Sequence, residues 1–484
     1  MTAVSRAAIV SGLVVLLAAA GSVRAADPAP RHDAGFAVRM VELGGDPGAA
    51  DTRAHLRFCR ELGFNAVWVR SGDAGVWTKD AAPTGPRLSP SFLSLTRWCR
   101  RHGMDVWVSL EPATDAGERF FFTDDDGERR LLQFGALLRQ QAEVRQVALS
   151  FANMPMQLRE LSDIFRYGAN AAEAQLDLAR RFVAAMPADV ATWLRASAVA
   201  DAELGDGTSP YATSFVKGLG SLPPGVGIVW AGPKRRSPAI TRAGLEASRA
   251  RLGNRPLLLD DHFPANGNND GDAMALILGA LRGREPGIRE VVAGYLVRPE
   301  TPLAGSRLSL ITIARFLRDP ERYDPDIAAA AAVTRLAGPR HDAQTALTTQ
   351  QLEWGGVIDG RNDWPRDELN PAVTARRLND PAFVDSFTWT VARYPGRMAD
   401  LAHVGDRRFR ADLLRTMRYR LAIARVVPLA IDYVARVQAD RPDAADVLAR
   451  IDAERQSWAR SPDVRRVLEL FLSAASIPPN NPAP

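Results

Sequence analysis

The sequence predicts an α/β fold, a (β/α)8 TIM barrel followed by an α-helical C-terminal domain, from three observations. Eight short runs rich in β-branched and aromatic residues alternate with amphipathic stretches over roughly 280 residues, a number and length typical of such a barrel. No Gly-rich phosphate loop follows the first run, which disfavours the alternative of an open, doubly wound sheet. Beyond Tyr323 the strand-like runs give way to Ala/Arg/Leu-rich helical periods.

The individual elements follow from these periods. The predicted strands are 37–43, 65–71, 105–111, 145–153, 192–199, 226–232, 256–263 and 290–297. The predicted helices are 51–62, 90–102, 129–142, 171–186, 240–252, 273–282 and 307–317. In a barrel of this type the functional residues lie at the C-terminal ends of the strands, which form its mouth.

The N-terminal residues have the pattern of a secretory signal peptide. Arg6 precedes an apolar run over residues 7–20, and small residues follow near Ala25. A membrane anchor is the alternative, although the run is short for a span. We predict a periplasmic or secreted protein with a signal peptide over 1–25, a linker over 26–35, the barrel over 36–325, a helical domain over 326–475 and a disordered tail over 476–484.

Composition excludes several classes of function. The net charge of +5 falls to +3 without the signal peptide, too little to indicate nucleic-acid binding. No later window is apolar enough to span a membrane. Cys59 and Cys99 form no disulfide framework; two buried thiols are favoured, although a bridge between neighbouring helices is conceivable. The six histidines have no metal-binding spacing, so we expect no metal and no cofactor.

Motifs at the predicted strand ends resemble those of one glycosidase family. Gly227–Pro233 and Arg255–Asn266 resemble the W-T-G-P and W-D-N-x-P-x-N-D series of the β-N-acetylglucosaminidase family, which includes O-GlcNAcase and bacterial hyaluronidase-like enzymes. Val106–Pro112 is similar to the family's third strand, Gln146–Met154 to its fourth, and Ser306–Pro325 to its barrel exit. The resemblance spans approximately residues 36–330 and implies a barrel that binds a carbohydrate or glycoconjugate.

The resemblance also implies a mechanism whose key residues this chain lacks. Enzymes of the family use the acetamido oxygen of the substrate as nucleophile, and two adjacent aspartates after the fourth strand orient it and transfer the proton. Here Ala152 and Asn153 occupy those two positions. Neither side chain can shuttle a proton, and loss of such a group typically lowers the rate by about 10²–10⁴-fold.

Other positions of the family's site also differ. The expected lysine falls near Gly72, beside Asp73, and the expected tyrosine is not apparent in 197–203. In the seventh-strand motif Asp260, His262 and Gly267 replace tryptophan, asparagine and aspartate, and Arg298 replaces the asparagine before Pro299. The scaffold matches the family and the catalytic site does not, which predicts a non-catalytic protein or relocated chemistry.

Several polar residues still converge on the predicted mouth. Glu111, with Asp260 or Asp261, is the candidate replacement pair of catalytic carboxylates. The alternative is a buried set of ion pairs in which Arg70 and Arg298 neutralise Glu111 and Asp260. The candidate ligand-binding residues are Arg70, Asp73, Asn153, Trp230, His262, Asn266 and Arg298.

Tryptophans supply the candidate sugar-stacking surface. Trp230 ends the sixth predicted strand beside the mouth and is the best candidate for stacking on a sugar ring. Trp68 and Trp107 are expected to pack between the sheet and the helices.

Three functional hypotheses remain open. The leading one is an exported protein that binds a glycan, peptide or other partner without hydrolysing glucosaminides. The alternatives are an active glycosidase on N-acetylhexosamine-containing envelope polysaccharide, and a structural platform whose helical domain binds a protein partner. An enzyme predicts an open acidic pocket, a glycan binder an open pocket with an exposed aromatic residue, and a platform a mouth filled by side chains.

Overall fold

In the computed structural model of the chain, eight parallel strands close into a barrel, each hydrogen-bonded to the next and the eighth to the first. The strands are β1 Arg39–Leu43, β2 Ala66–Arg70, β3 Asp105–Leu110, β4 Gln146–Ser150, β5 Ala191–Arg195, β6 Gly227–Trp230, β7 Leu257–Asp261 and β8 Gly294–Val297. All eight predicted strands overlap these, so the predicted (β/α)8 class is confirmed. The structure describes residues 35–43, 46, 48–72, 76, 87–112, 120–152, 154–264, 276, 278–299, 303–354, 394–458 and 472–473.

Helices on the outside of the barrel connect the strands. They are α1 Ala50–Leu62, α2 Pro90–Arg101, α3 Asp125–Ala142, α4 Leu161–Tyr167, α5 Ala171–Ala185, α6 Asp201–Leu204, α7 Pro210–Gly218, α8 Arg242–Arg251 and α9 Arg307–Arg318. Side-chain caps fix several starts: Ser89, Asp124 and Asn170 accept hydrogen bonds from backbone N–H groups of α2, α3 and α5.

One predicted helix is wrong. The described residues of the 273–282 stretch are not helical, and a 3₁₀ turn, Pro286–Glu290, precedes β8 instead. The short helices α4, α6 and α7 were not predicted, because each has too few periods to stand out in the sequence.

A layer of large side chains fills the barrel interior. Trp107 and Trp193 lie on β3 and β5, and their ring centroids are 5.1 Å apart across the intervening strand. Trp68 is paired in register with Trp107 and belongs to the same buried cluster. The expectation that Trp68 and Trp107 pack between sheet and helices is therefore wrong: both lie inside the barrel.

The outer face of the sheet packs against the helices in a larger core. Tyr295 of β8, Phe36 and Phe316 form edge-to-face and tilted ring contacts there. Cys59 and Cys99 belong to this core as free, buried thiols, in agreement with the favoured expectation.

A helical region follows the barrel, as predicted. It contains α10 Pro325–Ala337, α11 His341–Trp354, α12 Tyr394–Leu401, α13 Arg407–Gln438 and α14 Ala444–Ser457. Arg307 of α9 pairs with Asp406 at the start of α13, and the Gly305 N–H donates to Asp412 Oδ2 at 3.0 Å. Contacts group the described residues from Gly35 onward into one compact unit.

Some sequence predictions fall on residues that the structure leaves undescribed. The predicted signal peptide over 1–25 and tail over 476–484 both lie outside the described residues. Among the described helices, none combines the length and apolarity that a membrane crossing requires.

Candidate functional site at the barrel mouth

The alternation of β-strand side chains brings a layer of charged residues to the inner side of the barrel mouth. Trp68, Trp193 and Leu258 face inward, and the residues two positions later on the same strands are Arg70, Arg195 and Asp260. Glu42 follows inward Met40, and Arg298 follows inward Leu296. Glu42, Arg70, Arg195, Asp260 and Arg298 are called the barrel network below.

Ion pairs join the barrel network into one chain that connects four strands and the residue after β8. Glu42 forms ion pairs with Arg70 Nε and with Arg298 Nη1, each at 3.0 Å. Arg298 also binds Asp260 with Nε at 2.5 Å and Nη2 at 2.9 Å, and Arg195 Nη2 approaches Asp260 Oδ2 at 3.0 Å. Two guanidiniums therefore hold one carboxylate that is fully buried.

This geometry fixes the ionisation of Asp260. Burial by itself would raise the pKa of the carboxyl group, but Arg298, Arg195 and His262 hold it well below its usual value. Burial and the charge of Arg298 lower the pKa of Arg195 to about 10, although the nearby carboxylates act to raise it. Asp260 is therefore a carboxylate at neutral pH, and it has no proton to give to a leaving group.

The structure partly matches the predicted set of ion pairs. Arg298 pairs with Asp260 as expected, and Arg70 lies beside Glu42, a residue of β1 that sequence reasoning missed. Arg195 was also missed. In the sequence, Arg195 lies two residues after Trp193, so the two side chains are on the same face of the strand. That spacing does not indicate which face points into the barrel.

Glu111 lies beside this network. It follows β3, is 6% exposed, and its N–H donates to Ser71 Oγ at 3.2 Å. Its charge acts on Arg195, so Glu111 and Asp260 share an arginine inside the mouth.

Asp261 lies on the opposite side of the strand, which corrects its assignment as a catalytic candidate. Arg284 donates to it twice, from Nη2 at 2.8 Å and from Nε at 2.9 Å, and the Tyr295 hydroxyl donates a third hydrogen bond. Burial and the charge of Asp261 raise the pKa of Tyr295 well above its usual value, so the hydroxyl stays protonated as a donor. Asp261 thus anchors β7 to the outer core and does not reach the barrel interior.

Trp230 also lies on the outer face and is corrected in the same way. Its side chain is fully buried in the core between sheet and helices, and its neighbour there is Asp201 of α6. A ring enclosed on the outside of the barrel cannot stack on a sugar in the mouth.

An exposed aromatic residue occurs elsewhere on the mouth side. Helix α4 belongs to the connection after β4, which leaves the C-terminal end of the barrel. Its residues Leu161 and Phe165 lie one turn apart and are 70% and 87% exposed. The backbone N–H groups of Phe122 and Thr123 donate to Asp163, which fixes this helix in place.

The remaining predicted positions are partly described. Ala152, after β4, is 5% exposed and carries no polar group. Asn153, Asp73 and Asn266 lie outside the described residues. His262 Nε2 lies 3.5 Å from Asp260; its side chain and that of Arg70, 12% and 28% exposed, are more accessible than that of Asp260.

In the part of the chain that the structure describes, no three His, Cys, Asp or Glu side chains come together as metal ligands would.

Comparison with known proteins places this barrel in a family. The sequence profile of beta-N-acetylglucosaminidase matches residues 89–350, more than half of the chain. A point mutant of the O-GlcNAc hydrolase of Thermobaculum terrenum superposes with a TM-score of 0.61 at 18% identity, covering 91% of this chain and 96% of that one. The structure of CpGH84B gives a TM-score of 0.58 at 14% identity, covering 89% of this chain and 77% of that one. By the extent of the profile match, the chain belongs to the β-N-acetylglucosaminidase family.

Proposed function

We propose that this protein is an exported, non-hydrolysing member of its family that binds an N-acetylglucosamine-containing glycan at the barrel mouth. The observation that carries the proposal is the state of Asp260, a buried carboxylate clamped by Arg195 and Arg298. The sequence position of the family's aspartate pair, held here by Ala152 and Asn153, agrees with it.

The loss of the proton donor that the family uses is the chemical core of the proposal. Glycoside hydrolysis requires an acid that protonates the leaving oxygen. Ala152 has no proton to give, Asp260 is ionised, and Asp261 lies outside the barrel. Of the three candidate replacement carboxyl groups, only Glu111 could still act as an acid. A test of hydrolysis must therefore include a Glu111 variant.

Binding is supported by the groups that stay accessible. Arg70 and His262 offer hydrogen-bond donors at the edge of the barrel network, and Phe165 offers an exposed ring on the mouth side. One structural relative is described as an O-GlcNAc hydrolase, which supports N-acetylglucosamine as the sugar to try first.

The test combines binding and turnover. Purified protein is titrated calorimetrically with N-acetylglucosamine oligomers, and the same samples are analysed for products. We expect heat of binding without product, and about a tenfold loss of affinity in Arg70→Gln, since one charge-assisted hydrogen bond is lost. The exposed Arg101→Gln variant is the matched control and should bind like wild type.

A hydrolytic enzyme would give a different result. Turnover of a chromogenic N-acetylglucosaminide that disappears in Glu111→Gln but persists in Glu173→Gln, an exposed glutamate of α5, would overturn the proposal.

A structural platform is the second candidate, favoured by the ion pairs that fill the described part of the mouth. It predicts neither glycan binding nor turnover in the same titrations. In that case the exposed Leu161 and Phe165 of α4 become the surface to test for a protein partner, together with the helical domain.

Export is proposed from the sequence alone, on the pattern of Arg6 and the apolar run over 7–20. N-terminal sequencing of protein from the periplasm or medium should give a chain that starts near Ala26. Uncleaved protein confined to the cytoplasm would contradict this part of the proposal.

A further inference from the structure

A cavity lies away from the barrel mouth, among helices on the outside of the molecule. It occupies about 340 Å³ between α1, α9, α10 and the start of α13. We call it the arginine cavity; its lining residues are Ala54, Arg57, Phe58, Glu61, Arg307, Arg335, Leu336 and Asp406. A volume of this size is at the lower end of the range for small-molecule sites.

The charges of the lining do not balance. Asp406 is already engaged, since it pairs with Arg307 Nη1 at 2.5 Å and accepts the N–H groups of Arg408 and Phe409. Glu61 lies 3.7 Å from Arg335, and both side chains are about half exposed or more, so water screens that pair. The exposed Arg57 has no carboxylate partner among the described residues. The lining is therefore positive overall.

Arg307 is the buried member of the set. It is only 7% exposed, and its Nε is a buried donor that has no hydrogen-bond acceptor among the described residues. Such a donor is costly to leave unpaired, and a ligand oxygen would satisfy it. Burial and the positive charge of Arg307 lower the pKa of the buried His55 to about 3, so His55 is neutral at pH 7.

Phe58 holds two of the guanidiniums on one ring. The Cζ atoms of Arg307 and Arg335 lie 4.5 Å and 5.5 Å from the ring centroid. Two cations on one aromatic ring repel each other, and an anion between them relieves that repulsion. Guanidiniums fixed by stacking also present their N–H groups in the forked geometry that suits an oxyanion.

From these observations we propose that the arginine cavity binds an oxyanion, that is, the phosphate, sulfate or carboxylate group of a small solute. Arg307 holds the group from the buried side, and Arg57 and Arg335 close on it from the exposed rim. This site is independent of the proposed glycan site, because it lies outside the barrel and shares no residue with the barrel network.

The test uses three simple probes on the full-length purified protein. Inorganic phosphate, sulfate and acetate are titrated calorimetrically at matched ionic strength, and the comparison among them tells which oxyanion chemistry fits. We expect saturable binding of at least one probe, with about a tenfold loss of affinity in Arg57→Gln or Arg335→Gln. Both residues are exposed enough for their variants to fold.

Two further variants separate binding from a general effect of charge. Arg315→Gln removes an exposed arginine of α9 outside the cavity and should leave affinity unchanged. Glu61→Gln removes a competing carboxylate and should strengthen binding several-fold. Absence of binding for all three probes, or equal losses in Arg57→Gln, Arg335→Gln and Arg315→Gln, would overturn the proposal.

Discussion

At the scale of single residues, the barrel separates two neighbouring aspartates into different environments. Asp260 faces inward and is held by Arg195 and Arg298, whereas Asp261 faces outward and is held by Arg284 and Tyr295. The period of two along a strand produces this separation. The two carboxyl groups are therefore on opposite sides of the barrel wall and cannot act on one substrate.

We predict that Asp260→Asn destabilises the protein by about 3 kcal/mol at neutral pH, because it leaves Arg195 and Arg298 buried beside a neutral amide. The pKa of Asp260 is lower in the folded than in the unfolded protein, so its contribution is complete above about pH 4 and is lost as pH falls through the folded value. Urea unfolding from pH 7 to pH 2 checks this: the gap between wild type and variant should narrow below pH 4.

The control for this prediction is Asp105→Asn, which changes an exposed carboxylate at the far end of β3. It should cost less than about 0.5 kcal/mol at every pH. If Asp260→Asn cost no more than Asp105→Asn, the barrel network would not contribute to stability.

The sequence predicted some residues of the barrel network but not others, and the difference has a physical reason. Arg298 and Asp260 sit at strand ends that the motif resemblance had already located, so their pairing was anticipated. Glu42 enters the network because the barrel closes β8 onto β1, and Arg195 enters it because β5 and β7 flank β6 with both side chains on the inner face. Closure and the direction of each face are properties of the whole sheet, which no single strand encodes.

At the scale of elements, the alternation of large and small residues sets how the interior is filled. Trp193 is held by Trp107 and by a 2.9 Å hydrogen bond from its Nε1 to Gln146 Oε1. Gly227 on the adjacent β6 leaves room for this ring, since a Cβ there would lie 2.2 Å from Trp193 Cε3. Strand positions were predictable from β-branched runs, but the inward direction of the tryptophans was not, because a buried strand is apolar on both faces.

We predict that Gly227→Ala lowers the free energy of unfolding by about 1–3 kcal/mol through overpacking against Trp193. Gly220→Ala is the control, since nothing lies within 4 Å of the added Cβ. Urea denaturation of both variants measures the difference. Equal effects at the two glycines would contradict steric contact with the ring. Partial recovery in the double variant Gly227→Ala with Trp193→Phe would locate the contact at that ring.

The wrong helix between β7 and β8 has an explanation at the same scale. The stretch 273–282 is rich in Ala and Leu, which favour a helix by intrinsic propensity. In the fold, Leu278 and Leu281 are buried in the core, and the Leu281 N–H donates to Thr312 Oγ1 of α9 at 3.1 Å. Tertiary contacts therefore hold these residues outside any helix.

At the scale of the whole molecule, the helical region shares a buried hydrophobic core with the barrel and is also joined to it by polar contacts at α9 and α13. Asp406 contacts both the helical region and the barrel. It is the N-cap of α13, and it forms an ion pair with the buried Arg307 of α9. Gly305 and Asp412 add a second link. The sequence predicted the helical character of this region but not its attachment, because the contacts join residues about a hundred positions apart.

We predict that barrel and helical region unfold together, and that Asp406→Asn shifts the whole transition. The variant keeps a weaker cap but leaves Arg307 without its carboxylate, a loss of about 2–3 kcal/mol for a pair that is mostly buried. Calorimetry should show one transition in wild type and one transition in the variant, with a midpoint lower by a few degrees. Asp446→Asn, an exposed aspartate of α14, should leave the midpoint nearly unchanged. If Asp406→Asn instead split the transition in two, the Arg307–Asp406 pair would be the coupling between two separately stable bodies, and the helical region would be an independent domain.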